Sequence, residues 1–329
     1  MKKITFAGAF VLFCGTVLFA APNSPPVLDS FDDISLVTLG PKNDAVYDEY
    51  VIGSDTQSYT AERWITPFKM NRYETTYHLW YKVRTEAEKN GYVFQNPGQE
   101  GSNGKRGAEP TIIREWQPVT QISWYDAIVW CNALSEQKGK TPCYTSNGKL
   151  LKDSSDTASC DLAECNFDAD GYRLPTESEW EYAARKTVCG FQNGGTASGQ
   201  VNEKGYDDNS IPEDEVAWTS ANCDMTRSVG TAGTPFTPKA PPAPGSGNPN
   251  GAGLFDMSGN ILEFCWDWNA NYQTVEPGAR AAGPDYGSQR ISRGGSWSPF
   301  TPFFYCGDRY AYDANECYNY MGFRFCSSK

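Results

Sequence analysis

The chain has 329 residues and a single histidine, His78. With one imidazole, a His-rich metal centre or a Ser-His-Asp relay has at most one candidate, and His78 is read as a surface or packing residue. Clustered basic charge is also missing. The 28 Lys and Arg are outnumbered by 40 Asp and Glu, a formal net charge of −12 that repels phosphate backbones and anionic lipid. Nucleic acid is therefore not an expected partner. The 11 cysteines contain no Cys-x-x-Cys pair, which removes the spacing typical of zinc ribbons and thioredoxin-type redox sites. No fixed-period repeat is visible, and long apolar runs are absent after the first 21 residues.

That first run starts Met1-Lys2-Lys3 and continues uncharged from Ile4 to Ala21, the pattern of an export signal over residues 1–21. A transmembrane anchor is the alternative, at the short limit for a span. Peptidase cleavage near Ala20 or Ala21 competes with acylation at Cys14, and neither site has the small residue usually found before it. The expected location is outside the cell, at the cell surface or outer membrane. Membrane association is expected only through a lipid on Cys14. Residues 22–33 read as a short Pro/Ser/Asp tether. Setting Cys14 aside leaves ten cysteines, an even number that in an exported chain argues for disulfides, with pairing open.

Aromatic residues make up 14% of the chain, with 31 Gly and 21 Pro, a composition for short strands and ordered loops. Ile34 to Met70 reads as strand-like pieces with turns at Gly40-Pro41 and Gly53-Ser54. A helix is expected after Thr75 or Thr76, with Thr76, Trp80, Val83 and Ala87 at helical spacing and Gly91 as the stop. A second begins at Ser123, with Asp126 as capping partner, and ends at Gly139. A third begins at Thr176 in the capping box Thr176-x-x-Glu179. Residues 142–170 and 231–250 read as inserted loops, and 190–253 as surface loops without helix or long strand.

Several stretches, taken in order, resemble one family. They are Gly171-Tyr172-Arg173-Leu174-Pro175-Thr176 through Arg185, Gly253-Leu254-Phe255-Asp256-Met257-Ser258-Gly259-Asn260-Ile261-Leu262-Glu263-Phe264, Arg293-Gly294-Gly295-Ser296-Trp297 and Gly322-Phe323-Arg324. Phe68-Lys69-Met70 to Thr75-Thr76 and Pro118-Val119 to Ser123-Trp124 fit the earlier strand-to-helix junctions. The pattern is similar to that of the formylglycine-generating-enzyme (sulfatase-modifying factor) family. The resemblance spans roughly 35–326 and implies one α+β domain of the C-type lectin type over 34–329.

The resemblance also implies what to look for at the site. The family's enzymes resemble copper oxidases with two cysteines in the C-terminal loop. The first position is Pro299 here, and Cys306 near the second cannot alone give the paired thiolate ligation that Cu(I) favours. No catalytic cofactor is therefore expected. A structural calcium site is implied at Asp256, Gly259, Ile261 and Glu263, through two side chains and two carbonyls. Simple capping of a tight turn is the alternative for these residues.

Residues 298–320 change composition, with eight Phe and Tyr and no Leu, Ile or Val. Rigid amphipathic rings among Asn, Asp and small residues are what paratopes use. The stretch also resembles the loop of the variable proteins diversified by retroelements, the Treponema variable protein among them. Adenine mutagenesis of asparagine-type codons in such loops cannot yield Lys, Glu, Gln, Met or Trp, and only Glu316 belongs to that set here. The expected contact residues are Ser298, Phe300, Thr301, Phe303, Phe304, Tyr305, Gly307, Asp308, Tyr310, Tyr312, Asp313, Asn315, Tyr318 and Asn319, with stability residing elsewhere. The function expected first is a surface-displayed binder of a protein or cell-surface glycan, not an enzyme. An exported formylglycine-generating oxidase acting on protein cysteines and a calcium-dependent sugar-binding module are the other two readings.

Overall fold

The computed structural model describes residues 31–41, 45–54, 60–237 and 240–328. Asp32–Lys329 forms one compact unit. The expected export signal and Cys14 lie outside the described residues. Among the described residues no helix is long and apolar enough to cross a membrane.

The chain opens with β1 (Leu36–Leu39), β2 (Asp48–Ile52), β3 (Ala61–Ile65) and β4 (Phe68–Asn71), followed by helix α1 (Tyr77–Glu88). Strands β5 (Gln99–Glu100) and β6 (Val119–Thr120) lead to helix α2 (Trp124–Gln137). The expected insert at 142–170 is folded, with β7 (Tyr144–Ser146), β8 (Lys149–Leu150), α3 (Thr157–Asp161) and β9 (Glu164–Cys165). Strand β10 (Tyr172–Arg173) and helix α4 (Glu177–Arg185) follow, then, after long loops, β11 (Leu262–Trp268), β12 (Arg290–Arg293), β13 (Tyr310–Tyr312), β14 (Met321–Gly322) and β15 (Cys326–Ser327).

The three long helices start where their caps place them. Thr76, Ser123 and Thr176 each accept a backbone N–H from the first turn, and the last two complete reciprocal capping boxes with Asp126 and Glu179, satisfying donors a helix start leaves orphaned. The first of two four-stranded sheets runs β1-β4-β15-β10 and the second β13-β12-β11-β14. Strands β11 and β14 are parallel, while β12 is antiparallel to both β11 and β13. One core cluster joins α1 and α2 through Trp80 stacked on Trp130 at 5.9 Å. The other gathers α4 against β2, β4 and β12.

Two expectations are corrected here. Residues 22–33 are not all tether: Asp33 bonds His78 Nδ1 at 2.9 Å and its carbonyl accepts Asn71 Nδ2 at 3.1 Å. His78 also packs on Trp116 at 4.8 Å, and the Asp33 hydrogen bond raises its pKa. The ten cysteines are free thiols, not a disulfide framework. Six of them are buried and act as small apolar residues. Cys326 Sγ accepts from Arg173 Nη1 at 3.1 Å, and Cys306 Sγ lies 3.7 Å from the Ala184 carbonyl.

Candidate functional site: an aromatic loop held on buried ion pairs

The charged residues of the sequence motifs turn inward. Arg173 grips Glu179 with two bonds of 2.7 and 2.8 Å, and Arg324 grips Glu263 at 2.6 and 2.7 Å. Arg293 pairs with Glu181. All three arginines are fully buried, so each carboxylate satisfies a guanidinium that would otherwise be strongly destabilising. These residues brace the scaffold. Arg293 further donates to the carbonyls of Cys306, Gly307 and Asp308 and so fixes the middle of the C-terminal loop to β12.

Gly295 allows the chain to double back there. Its φ is +66°, and a Cβ would lie 2.5 Å from the Phe303 carbonyl. Beyond it Ser296 Oγ accepts the Ser298 N–H at 3.0 Å and meets Thr301 Oγ1 at 2.5 Å.

The expected contact residues divide into three groups. Phe300 is 77% exposed and Phe303 58%, and Asp313 and Asn315 are also exposed. Phe304, Tyr305, Tyr310, Tyr312, Tyr318 and Asn319 are half-buried. Ser298, Thr301, Gly307 and Asp308 are buried, which corrects their assignment as contacts. Ser298 and Thr301 form the turn just described, Gly307 gives its carbonyl to Arg293, and Asp308 Oδ2 accepts the Tyr305 N–H at 2.9 Å. The expectation that loop and stability are separate also needs correction. Tyr310, Tyr312 and Tyr318 pack against the larger core cluster, and β13 hydrogen-bonds β12 within the second sheet.

A row of rings, half-buried at Tyr310, Tyr312 and Tyr318 and buried at Tyr320, leads out to the exposed Phe300. Centroid distances are 6.5 Å from Tyr310 to Tyr312, 5.7 Å to Tyr318, 5.0 Å to Tyr320 and 6.5 Å to Phe300. The Tyr310 hydroxyl accepts the Phe303 N–H at 2.8 Å, and Tyr318 donates to Glu316 at 2.8 Å. Glu213, which accepts from Tyr305 at 2.9 Å, and Gln289, which donates to Asp313 at 3.1 Å, border the loop. They sit in unpatterned segments that gave no signal in the sequence.

The family's chemical groups fare differently. Pro299 is exposed, whereas Cys306 is fully buried and burial pushes its thiol up to about 12. Such a thiol is protonated at neutral pH and a poor soft-metal ligand or nucleophile. The turn at Asp256, Gly259, Ile261 and Glu263 does not fit calcium. Both Glu263 oxygens are bonded to Arg324, with Oε2 also accepting Trp180 Nε1 at 2.7 Å. Asp256 Oδ2 accepts the Gly230 N–H, and its Oδ1 has no partner. Arg324 already supplies the cation there. Among the described residues no group of three or more His, Cys, Asp or Glu is arranged to hold a metal.

Short strands, few helices and an end-anchored loop define an α+β protein with the C-type-lectin-like fold that formylglycine-generating enzymes and their non-enzymatic relatives share. The chain belongs to the family described as the sulfatase-modifying factor enzyme 1-like domain, matched over residues 31–329. It is 30% identical over 240 residues to a Paenibacillus barcinonensis protein named chaperone protein LppX, covering 71% of this chain and 70% of that one. It is 28% identical to the Bos taurus formylglycine-generating enzyme over 79% of this chain and 65% of the enzyme. The mouse enzyme is spanned over 59% of its length. Among solved structures, Treponema denticola variable protein 1 superposes with a TM-score of 0.63 at 25% identity, covering 89% of this chain and 95% of that one. Relatives within one family thus carry names of different function, and the fold alone does not select among them.

Proposed function

We propose that this chain is an exported ligand-binding protein, displayed at the cell surface or outer membrane, whose aromatic C-terminal loop contacts a protein or cell-surface glycan. The observation that carries the reading is the exposure of Phe300 and Phe303 beside a row of tyrosine rings on a braced scaffold. Exposed rings grouped into a contiguous apolar patch mark an interaction surface, whereas a single exposed ring does not, and rigid rings lose little entropy on binding. Treponema denticola variable protein 1 supports the reading through its shared fold. Diversification by a retroelement accords with the composition of 298–320, with variation confined to the exposed and half-buried positions. A reverse transcriptase gene and an imperfect template copy beside the coding segment are its expected genomic mark.

Formylglycine generation is disfavoured because Pro299 carries no thiol and Cys306 is a buried, protonated one. The test of the binding reading is site-specific photo-crosslinking. A photoreactive phenylalanine analogue at position 303, and separately at Tyr286, which is 86% exposed on another loop, is presented to purified extracellular-matrix proteins and a glycan array. Crosslinks from 303 and not from 286 are expected. Equal labelling from both, or none from 303 to a target that binds the protein, overturns the reading.

A further inference from the structure

A cavity of about 130 Å³ lies under the loops that follow β11, walled by Asp267, Trp268, Tyr272, Arg63, Arg280 and Arg309. Its charges do not balance. Arg309 is paired with Glu177 at 2.6 and 2.8 Å, and Asp267, whose pKa burial pushes up to about 8, is largely uncharged at neutral pH, which leaves Arg63 and Arg280. Neither has a carboxylate within 4.0 Å among the described residues, whose ion pairs all involve other groups.

Arg63 is only 4% exposed. Its Nη1 donates to the carbonyls of Glu62 and Gln273 at 2.7 and 3.2 Å, its guanidinium lies 5.3 Å from the Tyr272 ring, and its Nε has no hydrogen-bond partner. Arg280 donates to Thr66 Oγ1 at 3.0 Å and stacks 4.5 Å over Phe167. A buried guanidinium without a counter-charge is costly, and its planar fork matches a carboxylate through two parallel bonds. An opening lined by the buried Arg63, the half-buried Arg280 and an aromatic wall suits an anion with a short apolar stem.

We propose that this cavity binds a carboxylate group, carried either by a small free acid or by an acidic side chain of a partner protein, with Arg63 and Arg280 as its recognising cations. The volume limits the ligand, since a cavity of about 150 Å³ holds a benzene-sized molecule. A propionate-sized group fits and a bulky acid does not. The site is distinct from the exposed rings of the 298–320 loop and stands or falls independently of their role.

The experiment titrates the whole protein with propionate, with the blocked peptide acetyl-Gly-Glu-Gly-amide, and with sulfate and chloride at equal ionic strength. Readouts are melting temperature and tryptophan fluorescence, since Trp268 lines the cavity and a native-state ligand raises stability by mass action. The expected result is a saturable rise with propionate or the peptide and a fluorescence change at the same midpoint. Both should weaken at least tenfold in Arg63→Met. The same loss in Arg280→Met, a change at a less buried position, guards against a misfolded first variant. A stronger response to the peptide than to propionate assigns the carboxylate to a protein partner, and the reverse assigns it to a free acid. No saturable response, an equal response in both variants, or a response to sulfate alone overturns the proposal.

Discussion

Asp267 lies fully buried on β11, where its Oδ2 accepts the Glu177 N–H at 2.7 Å. Burial first, and then the nearby Glu177 carboxylate, push its pKa up to about 8 from 3.8. An acid with a raised folded pKa binds more protons folded than unfolded between the two values. Its contribution to stability therefore falls as pH rises from about 4 to about 8, and is level outside that window. At about 1.4 kcal/mol per pH unit, the full swing is on the order of 5 kcal/mol. Asp267→Asn keeps an acceptor for the Glu177 N–H and removes the ionisation. The variant should exceed the parent by about 1.5 kcal/mol near pH 5, where the window has been open for about one unit, and by several kcal/mol more near pH 8.5, read from urea midpoints with an unchanged slope. Asp256, pushed up to about 6 mainly by burial, gives both proteins a further decline of the same sign that ends near pH 6. A difference between parent and variant that is constant from pH 5 to pH 8.5 would refute the reasoning.

Three other outcomes follow from the same geometry. Glu263→Ala strips the buried Arg324 of its carboxylate and should destabilise by about 3–5 kcal/mol, measured by chemical denaturation; a loss under about 1 kcal/mol would show that Arg324 finds other partners. Adding calcium or a chelator should leave the melting temperature fixed, because Arg324 holds the charge at Glu263; a saturable calcium-dependent rise would restore the site implied by the family resemblance. Incubation with copper, oxygen and a cysteine-x-proline-x-arginine peptide should yield no aldehyde above a Cys306→Ser control, and product above that control would contradict the assignment of Cys306 as a packed thiol.

The sequence showed most where local chemistry decides. Thr76, Ser123 and Thr176 announce their helices because capping needs only residues within one turn, and the ordered motifs placed the chain in its family. Tertiary partnership was less legible. Glu263 in a Gly-Asn-x-x-Glu turn looks like a calcium ligand until Arg324, 61 residues away, is seen to occupy it. Ser298, Thr301 and Asp308 resemble contact residues because composition does not distinguish a polar side chain that faces a target from one that ties its own loop. The insert at 142–170 was read as a loop because its strands are two or three residues long and leave no periodic pattern. The arginine-lined cavity gave no signal at all, since Arg63 lies about 210 residues before the segment that carries Tyr272 and Arg280.

The central claim, that exposed rings of the C-terminal loop bind while the rings beneath them hold the fold, is tested most directly by pairing two substitutions in one measurement. Phe300→Ser with Phe303→Ser, and separately Tyr310→Ser with Tyr312→Ser, are compared with the parent for melting temperature and for affinity to a target identified by crosslinking. The phenylalanine pair should change stability by no more than about 0.5 kcal/mol at each position and lose about 2 kcal/mol or more of binding per ring, at least thirtyfold each. The tyrosine pair should lower the melting temperature clearly. A phenylalanine variant that unfolds early, or one that keeps full affinity with an unchanged melting temperature, would contradict the account.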